Sequence, residues 1–200
     1  MMTEPVSVLV DRIEDLRAVR RFATVLVAID GASGAGKSTF ALKVGLETEA
    51  NVIDGDDFYA GGSAEMWDAM SPAEKAAHCI DWKRQRPVLE ALAKGEPAIW
   101  HPYDWDADDG RLAEHPVFHD PAPVIILEGV YSARPELADL FDLRVLYDAP
   151  REVRQQRIAE REGAGYRTEW NQRWEEAEHW YFTHVMPPRA FDLVLPAEDP

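Results

Sequence analysis

Cysteine is nearly missing: Cys79 is the single one in 200 residues. A disulfide within the chain is therefore excluded, as is a cysteine-rich zinc site. The pattern fits a reducing compartment. Basic residues are scarce beside acidic ones, 21 Lys+Arg against 37 Asp+Glu, giving a formal net charge of -16. Such a field repels polyanions and argues against a nucleic-acid polymer or an anionic membrane as partner. It still permits a small anionic ligand, because a few backbone N–H groups and one cation can hold a phosphate locally. No apolar run approaches the roughly 18 residues that would span a bilayer. Glu4, Asp11, Glu14 and Asp15 interrupt the apolar residues near the start, so no secretory core is read there and a cytoplasmic location is expected. The histidines never take the H-E-x-x-H spacing of a zinc enzyme. Asp104-x-Asp106-x-Asp108 is followed by Asp109 and His115 where a calcium loop needs Gly and Glu, which excludes an EF-hand.

What is present reads as a globular α/β chain, with 46% hydrophobic and 29% charged residues. Residues 3–21 space Val6, Leu9, Val10, Ile13, Leu16 and Val19 at helical intervals, which predicts a helix packed on the domain by its apolar stripe. Membrane docking is disfavoured because the opposite face is not basic. Short apolar runs at 24–29, 51–54, 124–127, 143–147 and 192–195 read as buried strands. Helical stretches separate most of them. Ser71-Pro72-Ala73-Glu74 carries a helix-start signature, and Asp81 is placed to cap a helix ending before Gly95. Residues 101–121 read as loop or hairpin. Alternating elements of this kind predict a parallel, doubly wound sheet whose C-terminal strand edge binds ligands. Residues 57–121 are the best candidate for a cap over that edge.

Gly31-Ala32-Ser33-Gly34-Ala35-Gly36-Lys37-Ser38-Thr39 contains G-x-x-x-x-G-K-[ST] between a strand and a helix, the context that phosphate-binding loops require. Its glycines let amides approach a phosphate without Cβ clashes. Lys37 can reach the β- and γ-phosphates and Ser38 can ligate Mg²⁺. Phosphoryl transfer also needs a further metal ligand and a carboxylate that orients the acceptor. Glu128 ends the strand at 124–127, and Asp54, Asp56 and Asp57 follow the strand at 51–54. All would open onto the edge that carries the loop. The alternative for Glu128 is a solvated strand end. For Asp56 it is a turn or capping role, while Asp54 lies deeper in its strand and Asp57 is the rival base. Arg151, Arg154, Arg157 and Arg161 line one side of a helix before Gly163-Ala164-Gly165. They read as a closing lid beside a phosphate site, or else as a solvated face paired with Glu152, Glu160 and Glu162. Trp170, Trp174 and Trp180 follow on a long helix and read as packing residues first.

Together, GASGAGKST at 31–39, DDFY at 56–59, IDW at 80–82, PYDW at 102–105, ILEGVY at 126–131, FDLRVLYD at 141–148 and FDLVLP at 191–196 resemble the uridine kinase-like family of small-molecule kinases. That family includes pantothenate and nicotinamide riboside kinases and phosphoribulokinases. The resemblance implies a three-layer P-loop NTPase fold: a five-stranded parallel sheet, helices on both faces, a small cap insert and an Arg-bearing lid. It implies one domain over 1–200, with an N-terminal helix at 1–21, a substrate cap at 57–121 and a lid at 150–168. It further implies ATP and Mg²⁺, with Asp56 as catalytic base, Ser38 and Glu128 as metal ligands with Asp56 beside them, and Arg154, Arg157 and Arg161 as lid arginines. Asp81 matches a ribose-holding carboxylate, and Tyr59 and Tyr103 match aromatic substrate positions. Asp108 stands where uridine-cytidine kinases carry a base-reading His, and Ile80 replaces an aromatic. A carboxylate at 108 suits a cationic or N–H-donating group better than a uracil carbonyl. The expected activity is transfer of the γ-phosphoryl of ATP to a hydroxyl of a small molecule, a nucleoside such as uridine or cytidine. The alternatives are another small alcohol (nicotinamide riboside, pantothenate or a sugar) and a non-catalytic nucleotide-binding regulatory module. Self-association into a homo-oligomer is compatible with all of these.

Overall fold

The computed structural model describes residues 4–20, 24–107 and 109–198. In chain order the elements are α1 (Pro5–Arg20), β1 (Val25–Asp30), α2 (Lys37–Thr48), β2 (Asn51–Asp54), α3 (Ala64–Asp68), α4 (Pro72–His78), α5 (Trp82–Ala93), β3 (Ala98–Trp100), β4 (Val117–His119), β5 (Val124–Glu128), β6 (Leu143–Asp148), α6 (Arg151–Glu162), α7 (Thr168–His184) and β7 (Leu193–Pro196).

Five strands form one parallel sheet in the order β2-β5-β1-β6-β7. The sequence pattern of β1 and β5 explains why helices cover both faces. Leu26, Ala28, Ile125 and Leu127 belong to one core, with Phe58, Leu89 and Tyr181. Val25, Val27, Ile29, Val124 and Ile126 belong to the other, with Leu9, Ile13, Phe40 and Val44. Successive side chains leave a strand on opposite faces, so a run that is apolar at every position needs cover on both sides. α1 and α2 supply it on one face; α5 and α7 supply it on the other.

Three details differ from the sequence reading. Val19, the last residue of the proposed stripe on α1, is 84% exposed; Leu9 and Ile13 carry the packing. Residues 101–121, read as loop or hairpin, return on β3 through the antiparallel strand β4; what the sequence does not show is that β3 begins before them, its three residues being too few for periodicity to show. α3 is a five-residue helix capped by Ser63, likewise too short to announce itself. Ser71 and Glu74 form the reciprocal capping box that the sequence predicts, and Asp81 caps α5 by accepting from the Lys83 N–H.

Candidate functional site

The loop 31–38 joins β1 to α2 at the C-terminal edge of the sheet. Its shape depends on glycine at two points. A Cβ on Gly31 (φ +152°) would lie 2.3 Å from the Tyr147 carbonyl oxygen, and one on Gly34 (φ +79°) 2.5 Å from the Arg154 carbonyl oxygen. Gly36 stands at the N-cap of α2 and makes no side-chain cap, so the first helical amides are left to an external acceptor, the geometry of an anion site. Lys37 is buried and its Nζ donates to the Ala32 carbonyl at 3.3 Å. Ala32 and Ser33 face the cleft, Ala35 is buried, and Ser38 and Thr39 lie on the exposed first turn of α2.

Around this cation the sheet edge gathers carboxylates. Asp54 and Glu128 are register partners on neighbouring strands. Burial pushes Glu128 up to about 7; Asp54 and Asp56 add to the shift, while Lys37 and a hydrogen bond with the Ser38 side chain oppose it. Asp56 is pushed up to about 6, by crowding of protein around it and then by Asp54, against Lys37. It lines the cleft and is solvent-exposed there, so it is crowded without being sealed. Asp57 accepts from Trp100 Nε1 at 2.8 Å and is committed to that contact. Asp54, expected deeper in its strand, instead ends it; it lines the cleft and caps the following turn by accepting from the Asp56 N–H at 2.9 Å.

The donor set fits a magnesium ion. The Ser38 hydroxyl and the Glu128 carboxyl meet through a hydrogen bond, with Asp54 and Asp56 close by. No three His, Cys, Asp or Glu side chains converge as a metal cage among the described residues. Magnesium is commonly held by one or two protein groups plus phosphate oxygens.

The arginine helix divides its work. Arg154 lines the cleft but donates to the Ser33 and Ala149 carbonyls at 3.2 and 3.3 Å. Arg157 lies behind the loop and donates to the Ala35 carbonyl at 3.0 Å and the Glu198 carbonyl at 2.6 Å. Arg161 lines the cleft with a mostly exposed side chain. α6 ends at Glu162 and a tight turn over Gly163–Gly165 leads towards α7.

Opposite the phosphate loop stands an aromatic wall. Tyr59 stacks on Trp105 (centroids 5.0 Å apart) and meets Tyr103, Trp170 and Trp174 edge-on at 4.9, 6.2 and 6.0 Å. Tyr59, Trp105, Trp170 and Trp174 line a cleft of about 1130 Å³ that also takes in Ala32, Ser33, Asp54, Asp56 and Glu178. Tyr103 is buried behind Tyr59 and Trp105 and sets their position. Asp81 lies outside this lining and caps α5. Asp108 lies outside the described residues.

Two acids escaped the sequence reading. Asp30, fully buried, accepts from the Gly31 N–H (2.8 Å), the Tyr131 N–H (2.9 Å), the Ala133 N–H (3.0 Å) and the Tyr181 hydroxyl (2.9 Å). It ties the phosphate loop to the turn after β5 and to α7. Burial raises its pKa to about 6, against the hydrogen bonds from Ala133, Gly31 and Tyr181 and the charge of Lys37. Glu178, buried on α7, accepts from Ser33 N–H and Oγ at 2.9 and 2.5 Å. A signal existed for Glu178: it follows Trp170 and Trp174 at steps of four.

The Phosphoribulokinase / Uridine kinase family model matches residues 26–172. Uridine-cytidine kinase C of Dictyostelium discoideum is 26% identical over 133 residues, covering 66% of this chain and 29% of that protein. The nicotinamide riboside kinase of Saccharomyces cerevisiae is 27% identical over 158 residues, covering 70% and 66%. The chain thus spans less than two thirds of the length of either relative. Among solved structures, a candidate fructose transport system kinase from Silicibacter sp. TM1040 superposes with a TM-score of 0.71 at 22% identity, over 98% of this chain and 100% of that one. A candidate uridine kinase from Bacillus stearothermophilus gives 0.64 at 21% identity, over 94% and 98%.

Proposed function

We propose, from the chain's membership of the phosphoribulokinase/uridine kinase family, an ATP-dependent transfer of the γ-phosphoryl to a hydroxyl of a small molecule, uridine or cytidine first. The observation that carries this reading is Asp56, facing the cleft between the phosphate loop and the aromatic wall while Asp57 is occupied by Trp100. A carboxylate raised to about 6 is still ionised at neutral pH and is a better base than an ordinary Asp. In this reading the triphosphate lies over the loop 31–39, on the amides that Asp30 and Glu178 leave open, with Lys37 beside the β- and γ-phosphates. The acceptor ring stacks on Tyr59, Trp105, Trp170 and Trp174, and Asp56 takes the proton of its hydroxyl. Arg161 and Arg154 face the transferring group, and Arg157 braces the loop from behind. Ser38 and Glu128, with Asp56 close by, would hold magnesium, which when bound offsets phosphate charge. Asp81, as a helix cap, would act by fixing the wall's base. A cytoplasmic setting, with no nucleic-acid or membrane partner, belongs to the same reading.

The aromatic wall favours a planar acceptor over a sugar or an aliphatic alcohol. Nicotinamide riboside is the second reading, supported by the relative of that name. A coupled ADP-release screen over nucleosides, vitamins and sugars tests both. ADP release stimulated by a pyrimidine nucleoside is expected. Stimulation by another acceptor alone would correct the substrate, and no stimulation by any would leave the regulatory module.

A further inference from the structure

α7 carries two kinds of contact on one face. Trp170, Trp174 and Glu178 recur every four residues and Tyr181 follows three later, so all four project to the same side. The first two belong to the aromatic wall. Glu178 grips Ser33 in the phosphate loop at two points, and Tyr181 donates to Asp30, which in turn accepts from Gly31. The distance along the helix from Trp170 to Glu178 is about 12 Å at 1.5 Å per residue. One rigid rod therefore touches the acceptor's wall at one end and the nucleotide's cradle at the other.

Ser33 is held from a second side as well. Its carbonyl accepts from Arg154 of α6 while its N–H and hydroxyl donate to Glu178. Its amide is thereby spent on α7. A buried carboxylate with two charge-assisted bonds to one residue fixes that residue's position closely.

We propose that Glu178 is a positioning residue: its hold on Ser33 couples the acceptor wall of α7 to the phosphate loop, so that acceptor and nucleotide bind with positive cooperativity. The proposal rests on the kinase reading above. Coupling of this kind is reciprocal: whatever the acceptor does for nucleotide affinity, the nucleotide does for the acceptor.

The test uses the full chain, with Glu178→Ala and Glu178→Gln checked for folding by thermal melting. Calorimetry measures AMP-PNP affinity in magnesium with and without uridine. In the wild type uridine should tighten AMP-PNP about 5- to 100-fold, the usual span of such coupling. Glu178→Ala should bring that factor close to one. Glu178→Gln should keep most of it, because an amide can accept from the Ser33 N–H and donate to its hydroxyl. A wild-type factor of one, or a full factor in Glu178→Ala, overturns the proposal. If AMP-PNP binds but uridine does not, the acceptor assignment has failed instead, and the coupling is read by fluorine NMR of 5-fluorotryptophan protein. AMP-PNP should then shift the Trp170 and Trp174 resonances in the wild type and not in Glu178→Ala. Equal shifts in both, or none in the wild type, count against it. If Glu178→Ala does not fold, Ser33→Ala replaces it in either measurement; it removes the hydroxyl bond and keeps the N–H bond, so a partial loss is expected and an unchanged factor or shift refutes the proposal.

Discussion

Asp30→Asn offers the sharpest test of the buried network under the phosphate loop. Asp30 is fully buried and its pKa is raised from 3.8 to about 6, chiefly by desolvation. Between those values the folded protein holds a proton there that the unfolded chain has lost, so acid favours the fold and stability drains away as pH rises through about 6. A shift of about two pKa units corresponds to about 3 kcal/mol over the whole window, and roughly half of it, about 1–2 kcal/mol, falls between about pH 5 and pH 8. An amide cannot titrate. It also turns an NH₂ towards two of the four donors, so the variant is less stable than wild type at acidic pH. That deficit should narrow by about 1–2 kcal/mol on going to pH 8. Glu128 is shifted in the same direction, but it is common to both proteins and cancels in the difference. Urea titrations of both proteins without nucleotide, followed by fluorescence at pH steps, measure the gap. A deficit that stays flat or widens with pH would refute the reasoning.

Asp56→Asn should lower turnover by about 10²- to 10⁴-fold while calorimetric AMP-PNP affinity stays near wild type; wild-type turnover would remove Asp56 as the base. The same residue should set an acid limb in the rate profile of the free enzyme. Activity should fall as pH drops below about 6, where the carboxylate regains the proton it must lack, and a limb near pH 4 would contradict that. Gly34→Ala, with φ +79° and a Cβ 2.5 Å from the Arg154 carbonyl, should cost about 2 kcal/mol or more in unfolding free energy and weaken nucleotide binding; a neutral thermal melt would count against the loop geometry. Glu128→Gln should move the midpoint of a magnesium titration at fixed ATP several-fold upward, and an unmoved midpoint would take Glu128 out of the metal set.

Much of the sheet edge could be read from residues alone. The strands announce themselves because both-face burial demands unbroken apolar runs, and the loop 31–38 does so because close backbone approach demands glycine at fixed places. Asp56 and Glu128 are legible by position: each follows a strand that ends at the same edge. Other features are not local. Asp30 reads as the unremarkable last residue of β1; what makes it a hub is the arrival of Tyr131, Ala133 and Tyr181 from about 100 to 150 residues away. Arg157 shares its helical spacing with Arg154 and Arg161, yet only the packed structure shows it turned onto the Ala35 carbonyl. Trp170 and Trp174 of α7 read as core and prove to be cleft wall as well, since periodicity reports which face is apolar and not what that face meets.

The order β2-β5-β1-β6-β7 also bears on how the chain comes to be folded. β1 is the middle strand, yet its neighbours are laid down much later: Val25 pairs with Val124 and Val27 with Leu143. During synthesis a fully apolar segment with two open hydrogen-bonding edges has to wait until about a hundred further residues have emerged. Contacts this distant in sequence slow the search for the native state and prolong exposure to wrong partners. The strand that launches the phosphate loop is thus made well before the strands that secure it, which places an aggregation hazard at synthesis rather than in the folded chain.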